Sequence, residues 1–152
     1  MATVNTTPTE ADWLANFVRL NMGISTVVLP DNSPSIDWAY QVAVAIVNPD
    51  LAQAEGPIYL LAVYNLAASN LINFAQDQAG QTYFTTLRDQ FEINSFVPGV
   101  ISSSSDVGTS ESMTISKAFE ELTLADLQYL KDPYGRQYLM FAQRAGTLWG
   151  IT

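Results

Sequence analysis

Apolar residues recur at helical spacing along most of this chain. Trp13, Leu14, Phe17 and Val18 form one apolar face and predict a short first helix ending near Arg19. Thr7 or Thr9 can cap it, and Glu10 and Asp12 fall in its first turn, where the helix dipole favours acids. Asn21-Met22-Gly23 breaks the pattern. Ile24 to Pro30 reads as an extended segment, and Asp31-Asn32-Ser33-Pro34 has the composition of a turn. A second helix is predicted from Ser35 to Val47, capped by Ser33 or Ser35, with Pro34 suited to a first helical position. Its inward stripe is Ile36, Ala39, Tyr40, Ala43, Val44 and Val47, and Asn48-Pro49 stops it.

The third predicted helix starts at Gly56-Pro57 and ends at Ala79-Gly80, with no charge between Glu55 and Asp77. Its length approaches the roughly 20 apolar residues of a membrane span. Asn65, Ser69 and Asn73 recur every fourth residue on it, with Asn70 and Gln76 beside them. Polar groups are expensive in a bilayer, so a central core helix with an uncharged polar stripe is the better reading. Amides can pair across a protein contact, so the stripe is a candidate subunit interface; the plainer alternative is a solvated face.

Tyr83, Phe84, Leu87 and Phe91 predict a short fourth helix within Gln81 to Phe91, followed by a loop from Asn94 to Gly99. The stretch from Ser102 to Ser112 is small, polar and low in complexity. It cannot bury enough apolar area to offset its ordering entropy, which predicts a mobile loop that includes Ser102, Ser105, Gly108 and Ser112 and orders only on assembly. Val100-Ile101 before it and Met113-Thr114-Ile115 after it could pair as a loose hairpin. Thr123 is placed to cap a short helix from Leu124 to Leu130, and Asp132 to cap the last helix, with Pro133 at its first position. Tyr134, Tyr138, Phe141, Ala142 and Ala145 form the apolar face of that helix; Arg136, Met140, Gln143 and Arg144 form the other. The expected fold is one mainly α domain: a small helical bundle around a central apolar helix, with a short hairpin or extended loop before the C-terminal helices.

Composition then narrows the function. The 152 residues are 48% hydrophobic and 14% charged, a balance suited to one folded domain and opposite to that of disorder. Fifteen acids against six scattered cations, a net charge of -9, argue against gripping DNA or RNA, whose affinity comes mainly from phosphate neutralisation. With no Cys and no His, thiol catalysis, thiolate metal sites and His-dependent triads are excluded. The N-terminus has neither a basic nor an apolar leader region, so no secretion signal is expected. Gly108-Thr109-Ser110 lacks the lysine of a phosphate loop. Glu120 and Glu121 are adjacent and so point in different directions on a helix, which does not make a carboxylate dyad. Tyr59, Tyr64 and Trp38 are expected in the core rather than on a ligand platform. No catalytic, cofactor or metal residue is assigned, and no enzyme is expected.

Three stretches carry a family resemblance. Tyr59-Leu60-Leu61-Ala62-Val63-Tyr64-Asn65-Leu66-Ala67-Ala68, on the second of two consecutive helices, is similar to an Ala-rich A-x-x-L-x-A-A-x-x-L helix. Ser102 to Lys117 is a Gly/Ser-rich loop leading to an extended segment. Leu130-Lys131-Asp132-Pro133-Tyr134-Gly135-Arg136-Gln137-Tyr138-Leu139 looks like a T-x-Y-G start to a final helix. Together they resemble the head-to-tail adaptor (connector, or head-completion) proteins of tailed phages, over about Ser35 to Ala145. Asp132 stands where that pattern has Thr, a mild change since both cap helices. Gly135 falls in a first helical turn, where it costs helix propensity and so implies close packing against another backbone. Gln81 to Pro98 has no clear counterpart in the family.

The resemblance implies a structural virion subunit at the head-to-tail interface, without cofactor. Copies would form a ring, typically twelve-fold, that binds the portal protein, extends the DNA channel and offers a platform to the next neck or tail protein. DNA would pass without sequence-specific binding, and no membrane is involved. Candidate contacts to neighbours are Asn65, Ser69, Asn73, Arg136, Arg144, Trp149 and Ile151, the last two expected to dock on an adjacent subunit. The alternatives are another virion ring component, such as a tail-completion or tail-terminator protein, and a small host helical binding module.

Overall fold

The N-terminal segment opens as predicted and then changes its winding. In the computed structural model, which describes residues 6–95, 103–106, 109–112 and 124–145, Thr9 caps α1 (Glu10–Asp12) by accepting a hydrogen bond from the Asp12 amide at 3.2 Å. The chain then continues as a π-helix, Trp13–Asn21, closed by the Met22 amide donating to the Phe17 carbonyl at 2.9 Å. Most π-helical turns are isolated single turns, so nine residues is unusual. Trp13, Phe17 and Val18 are buried by this segment. Gly23, at φ 71°, turns the chain out of it in the left-handed region that glycine adopts without steric cost.

Residues 24–30 depart from the extended segment expected of them. The Leu29 amide donates to the Ser25 carbonyl at 3.0 Å, so the chain curls. The cause is Arg19. Its guanidinium donates to the Ile24 carbonyl at 2.9 Å and the Leu29 carbonyl at 2.7 Å, and pairs with Asp31. Only a curled segment can bring both carbonyls to one planar fork.

Helix α2 (Pro34–Ile46) buries Ile36, Ala39, Tyr40 and Ala43, the stripe its spacing predicts. Ser33 occupies the cap position, but its side chain makes no capping bond. A short α3 (Leu51–Ala54), not expected from the sequence, buries Leu51 and leads into α4 (Gly56–Phe74). Every residue of α4 from Ala62 to Ile72 is buried, which makes it the central helix. It ends at Phe74, well before Ala79-Gly80. Arg88 accounts for the early stop, because its guanidinium donates to the carbonyls of Ile72 and Ala75 at 2.8 and 2.7 Å and so satisfies groups that another helical turn would have used. Arg88 lies on α5 (Tyr83–Gln90), whose first turn is held by the Asp77 carboxylate accepting from the Phe84 and Thr85 amides.

After a 3-10 turn, Ile93–Ser95, two short strands pair antiparallel: β1 (Ser103–Asp106) with β2 (Thr109–Ser112), Ser105 opposite Ser110. Ser105 and Ser112 thus stand on paired strands, where composition alone suggests a mobile loop. Ser102 and Gly108, and the hairpin arms expected at Val100-Ile101 and Met113-Thr114-Ile115, lie outside the described residues.

Helices α6 (Leu124–Tyr129) and α7 (Pro133–Ala145) complete the fold. Both α2 and α7 pack on α4. The N-terminal segment ties them together through aromatic contacts: Trp13 with Tyr40 of α2 at 5.8 Å, and Phe17 with Tyr64 of α4 and Tyr134 of α7 at 6.0 and 5.9 Å. The architecture is mainly α, with the other helices gathered around α4. Among the described residues no helix is long and apolar enough to cross a membrane.

Candidate interaction surface

The amide stripe of α4 turns out to face inward. Asn65 and Ser69 are buried, and Asn73 is half-buried. The Asn65 side-chain amide donates to the Leu61 carbonyl at 2.7 Å. Ser69 donates its hydroxyl to the Asp132 carboxylate at 2.7 Å. Asn73 donates to the Ser69 carbonyl at 2.8 Å and accepts from the Gln128 amide of α6 at 3.1 Å. Asn70, beside them, donates to the Ala39 carbonyl of α2 at 3.2 Å. Ser69, Asn70 and Asn73 join α4 to Asp132, α2 and α6, while Asn65 bonds within α4 itself. Neither reading of the stripe, subunit interface or solvated face, anticipates this. A buried polar group needs a partner, and here each partner comes from the same chain.

Asp132 is the centre of that internal network. One carboxylate oxygen takes the Ser69 proton donor, and the other accepts from the Gly135 amide at 2.8 Å, capping α7 as predicted. Burial pushes this acid up, against the lowering effect of the Gly135 and Tyr134 amides, the Ser69 hydroxyl and Arg136. The folded chain therefore holds this proton more tightly than the unfolded one. The stabilising contribution of the protonated form is complete below the unfolded pKa and is lost as pH rises through the raised folded value. Asp132→Asn keeps an acceptor for Gly135 and should stay within about 1 kcal/mol of the parent at neutral pH. Asp132→Ala removes the cap and strands two donors, for a loss of about 2 kcal/mol. Urea titrations at several pH values would check this; an Asn variant as unstable as the Ala variant would contradict it.

The outer faces of α2 and α7 remain. On α7, Arg136, Gln137, Met140, Gln143 and Arg144 are exposed, as the helical pattern predicts, with Met140 54% accessible. On α2, Trp38, Val42 and Ile46 are exposed at 57%, 38% and 45%. Trp38 thus stands on the surface, contrary to the expectation of a core position. The inward stripe at 36, 39, 40, 43 and 47 leaves 38, 42 and 46 on the far side of the helix. The signal was present in the sequence. A helix that remains apolar after its inward stripe is removed has a second apolar face to cover.

The charges divide between the same elements. Six acids lie between residues 10 and 55, with Arg19 the single cation there. At the start of α2, burial and the adjacent Asp37 push Glu10 up, so two carboxyl groups sit together. From Pro133 to Ala145 there are two arginines and no acid. Trp149 and Ile151, also expected at an interface, lie outside the described residues. Among the described residues no group of three acids is gathered to hold a metal ion. No family model, curated protein or solved structure matches this chain.

Proposed function

We propose that the chain is a structural subunit of a phage neck ring: a head-to-tail adaptor that binds the portal, extends the DNA channel and gives the next neck or tail protein a place to dock. The observation that carries self-assembly is the exposed Trp38–Val42–Ile46 stripe. An apolar row that includes a half-exposed tryptophan is what a chain covers on assembly, since large aromatic side chains dominate the energetics of contacts. The virion role rests on the resemblance of the 59–68 and 130–139 segments to the adaptor family. A mainly helical fold favours the adaptor over tail-completion and tail-terminator proteins, which are richer in strands. A net charge of -9 suits a channel wall that DNA slides past rather than binds.

The reading is non-enzymatic. Asp132, the most deeply buried carboxylate among the described residues, is occupied as a helix cap and by Ser69. Electron microscopy of virions bearing a labelled chain is the test. Density for a ring of copies between portal and tail is expected. A chain absent from mature virions, or present as isolated copies, would remove the proposal.

A further inference from the structure

We infer that the α2 face of one copy packs against the α7 face of the next, head to tail. The inference rests on the self-assembly reading above and names the contact it requires. Three observations support it.

The two faces match in spacing. Trp38, Val42 and Ile46 fall at i, i+4 and i+8 on α2; Arg136, Met140 and Arg144 fall at i, i+4 and i+8 on α7. All six side chains are exposed. Each row spans about 12 Å along its helix axis. Met140 in the middle of one row offers a polarizable, adaptable surface to the apolar middle of the other.

Their charges are also complementary. In sequence the apolar row of α2 lies between Asp37, just before Trp38, and Asp50, four residues after Ile46 and beyond the end of the helix, and both acids are exposed. The row on α7 is flanked by Arg136 and Arg144. Among the described residues Arg136 gives one hydrogen bond, to the Leu130 carbonyl at 3.1 Å, and its guanidinium carries five donors that can meet a carboxylate in fork geometry. On a chain of net charge -9, two identical acidic faces would repel, so a symmetric α2-to-α2 contact is disfavoured.

Finally, the two faces cannot meet within one copy. α2 is bonded to α4 at Asn70 and α7 at Ser69. These neighbours are about 100° apart around the α4 axis, so α2 and α7 lie on different sides of it. A contact between unlike faces of identical chains is heterologous, and it closes into a ring when the rotation per subunit permits.

The absence of cysteine makes the test direct. In the full-length chain, Val42→Cys and Met140→Cys are introduced singly and together, then treated with a short bifunctional maleimide. Both sites are the central residues of their rows, so the result does not depend on whether the helices run parallel or antiparallel. The double variant should give a ladder of multimers, and neither single variant should give more than monomer. Dimers from Val42→Cys alone would show α2 meeting α2 and overturn the inference. Sedimentation velocity on the same samples separates the two levels. Association without cross-linking would overturn this contact and leave self-assembly standing; a monomer at every concentration, without cross-links, would remove both. A charge exchange provides the second measurement. Arg136→Glu/Arg144→Glu and Asp37→Lys/Asp50→Lys should each weaken association at least tenfold, and their equimolar mixture should restore it. Failure of the mixture to associate would overturn the inference.

Discussion

Replacing Trp13 with alanine is expected to cost about 3–5 kcal/mol of folding stability, the range for removing a fully buried large aromatic side chain. Trp13 has no accessible surface. Its indole nitrogen donates to the Tyr64 carbonyl at 3.1 Å, and its ring lies against Tyr40. It is also the first residue of the π-helical segment, so its position sets how Phe17 and Val18 meet the core. A domain of this size has about 5–15 kcal/mol in total, so the loss approaches the whole margin at the low end. Trp13→Phe keeps most of the apolar volume but leaves out the hydrogen bond, and should cost about 1–2 kcal/mol. Urea denaturation followed by circular dichroism measures both. A loss below about 1 kcal/mol for the alanine variant would mean that the cavity collapses freely, contrary to the close packing around Trp13.

Trp13 also illustrates what the sequence could and could not reveal. Its burial follows from the spacing of Trp13, Phe17 and Val18, because an i, i+4, i+5 pattern places all three on one helix face. The π winding does not follow, because that same pattern serves an α-helix equally well. The loop after it was hidden for a different reason. The curl of residues 24–30 is imposed by one guanidinium reaching two carbonyls, and periodicity carries no information on where an arginine head group binds. Arg88 repeats the lesson at the end of α4: a capping donor sixteen residues away from Ile72 stopped a helix whose composition would have allowed it to continue.

The surface was legible in an uneven way. Arg136 and Arg144 are where their helix phase puts them. The α4 amides misled because a four-residue repeat of polar groups marks one face of a helix without saying what covers it. In a helix surrounded by its own chain, that face is met by Asp132 and Gln128, both more than fifty residues away in sequence. Trp38 misled through its type. Tryptophan is usually well buried, but the phase of α2 outranks that preference once Ile36, Ala39, Tyr40 and Ala43 are turned inward. Residue type gives a prior, and helix phase corrects it.

Gly135 shows the opposite case, where a local cost in the sequence pointed to a tertiary contact. A glycine in the first turn of α7 sacrifices about 1 kcal/mol of helix propensity relative to alanine. The compensation is the approach of the α6 backbone: a Cβ on Gly135 would lie only 2.3 Å from the Tyr129 carbonyl oxygen, 2.8 Å from its Cα and 2.9 Å from its carbonyl carbon. These are backbone atoms, so no side-chain rotation relieves the clash. Gly135→Ala should therefore destabilise by about 3 kcal/mol, the upper end of the usual overpacking range, even though alanine is the better helix former. To make room, α7 must move away from Tyr129. That motion pulls Asp132 off Ser69 and spreads the Tyr129–Tyr138 ring contact, now 5.4 Å between centroids. Amide hydrogen exchange should accordingly show faster opening of α6 and α7 than of α2 in the variant. The outer row of Arg136, Met140 and Arg144 would shift with the helix, so the cross-link from Met140→Cys to Val42→Cys should weaken in the same background. An alanine variant as stable as the parent would mean that the α6–α7 corner has slack that these distances deny.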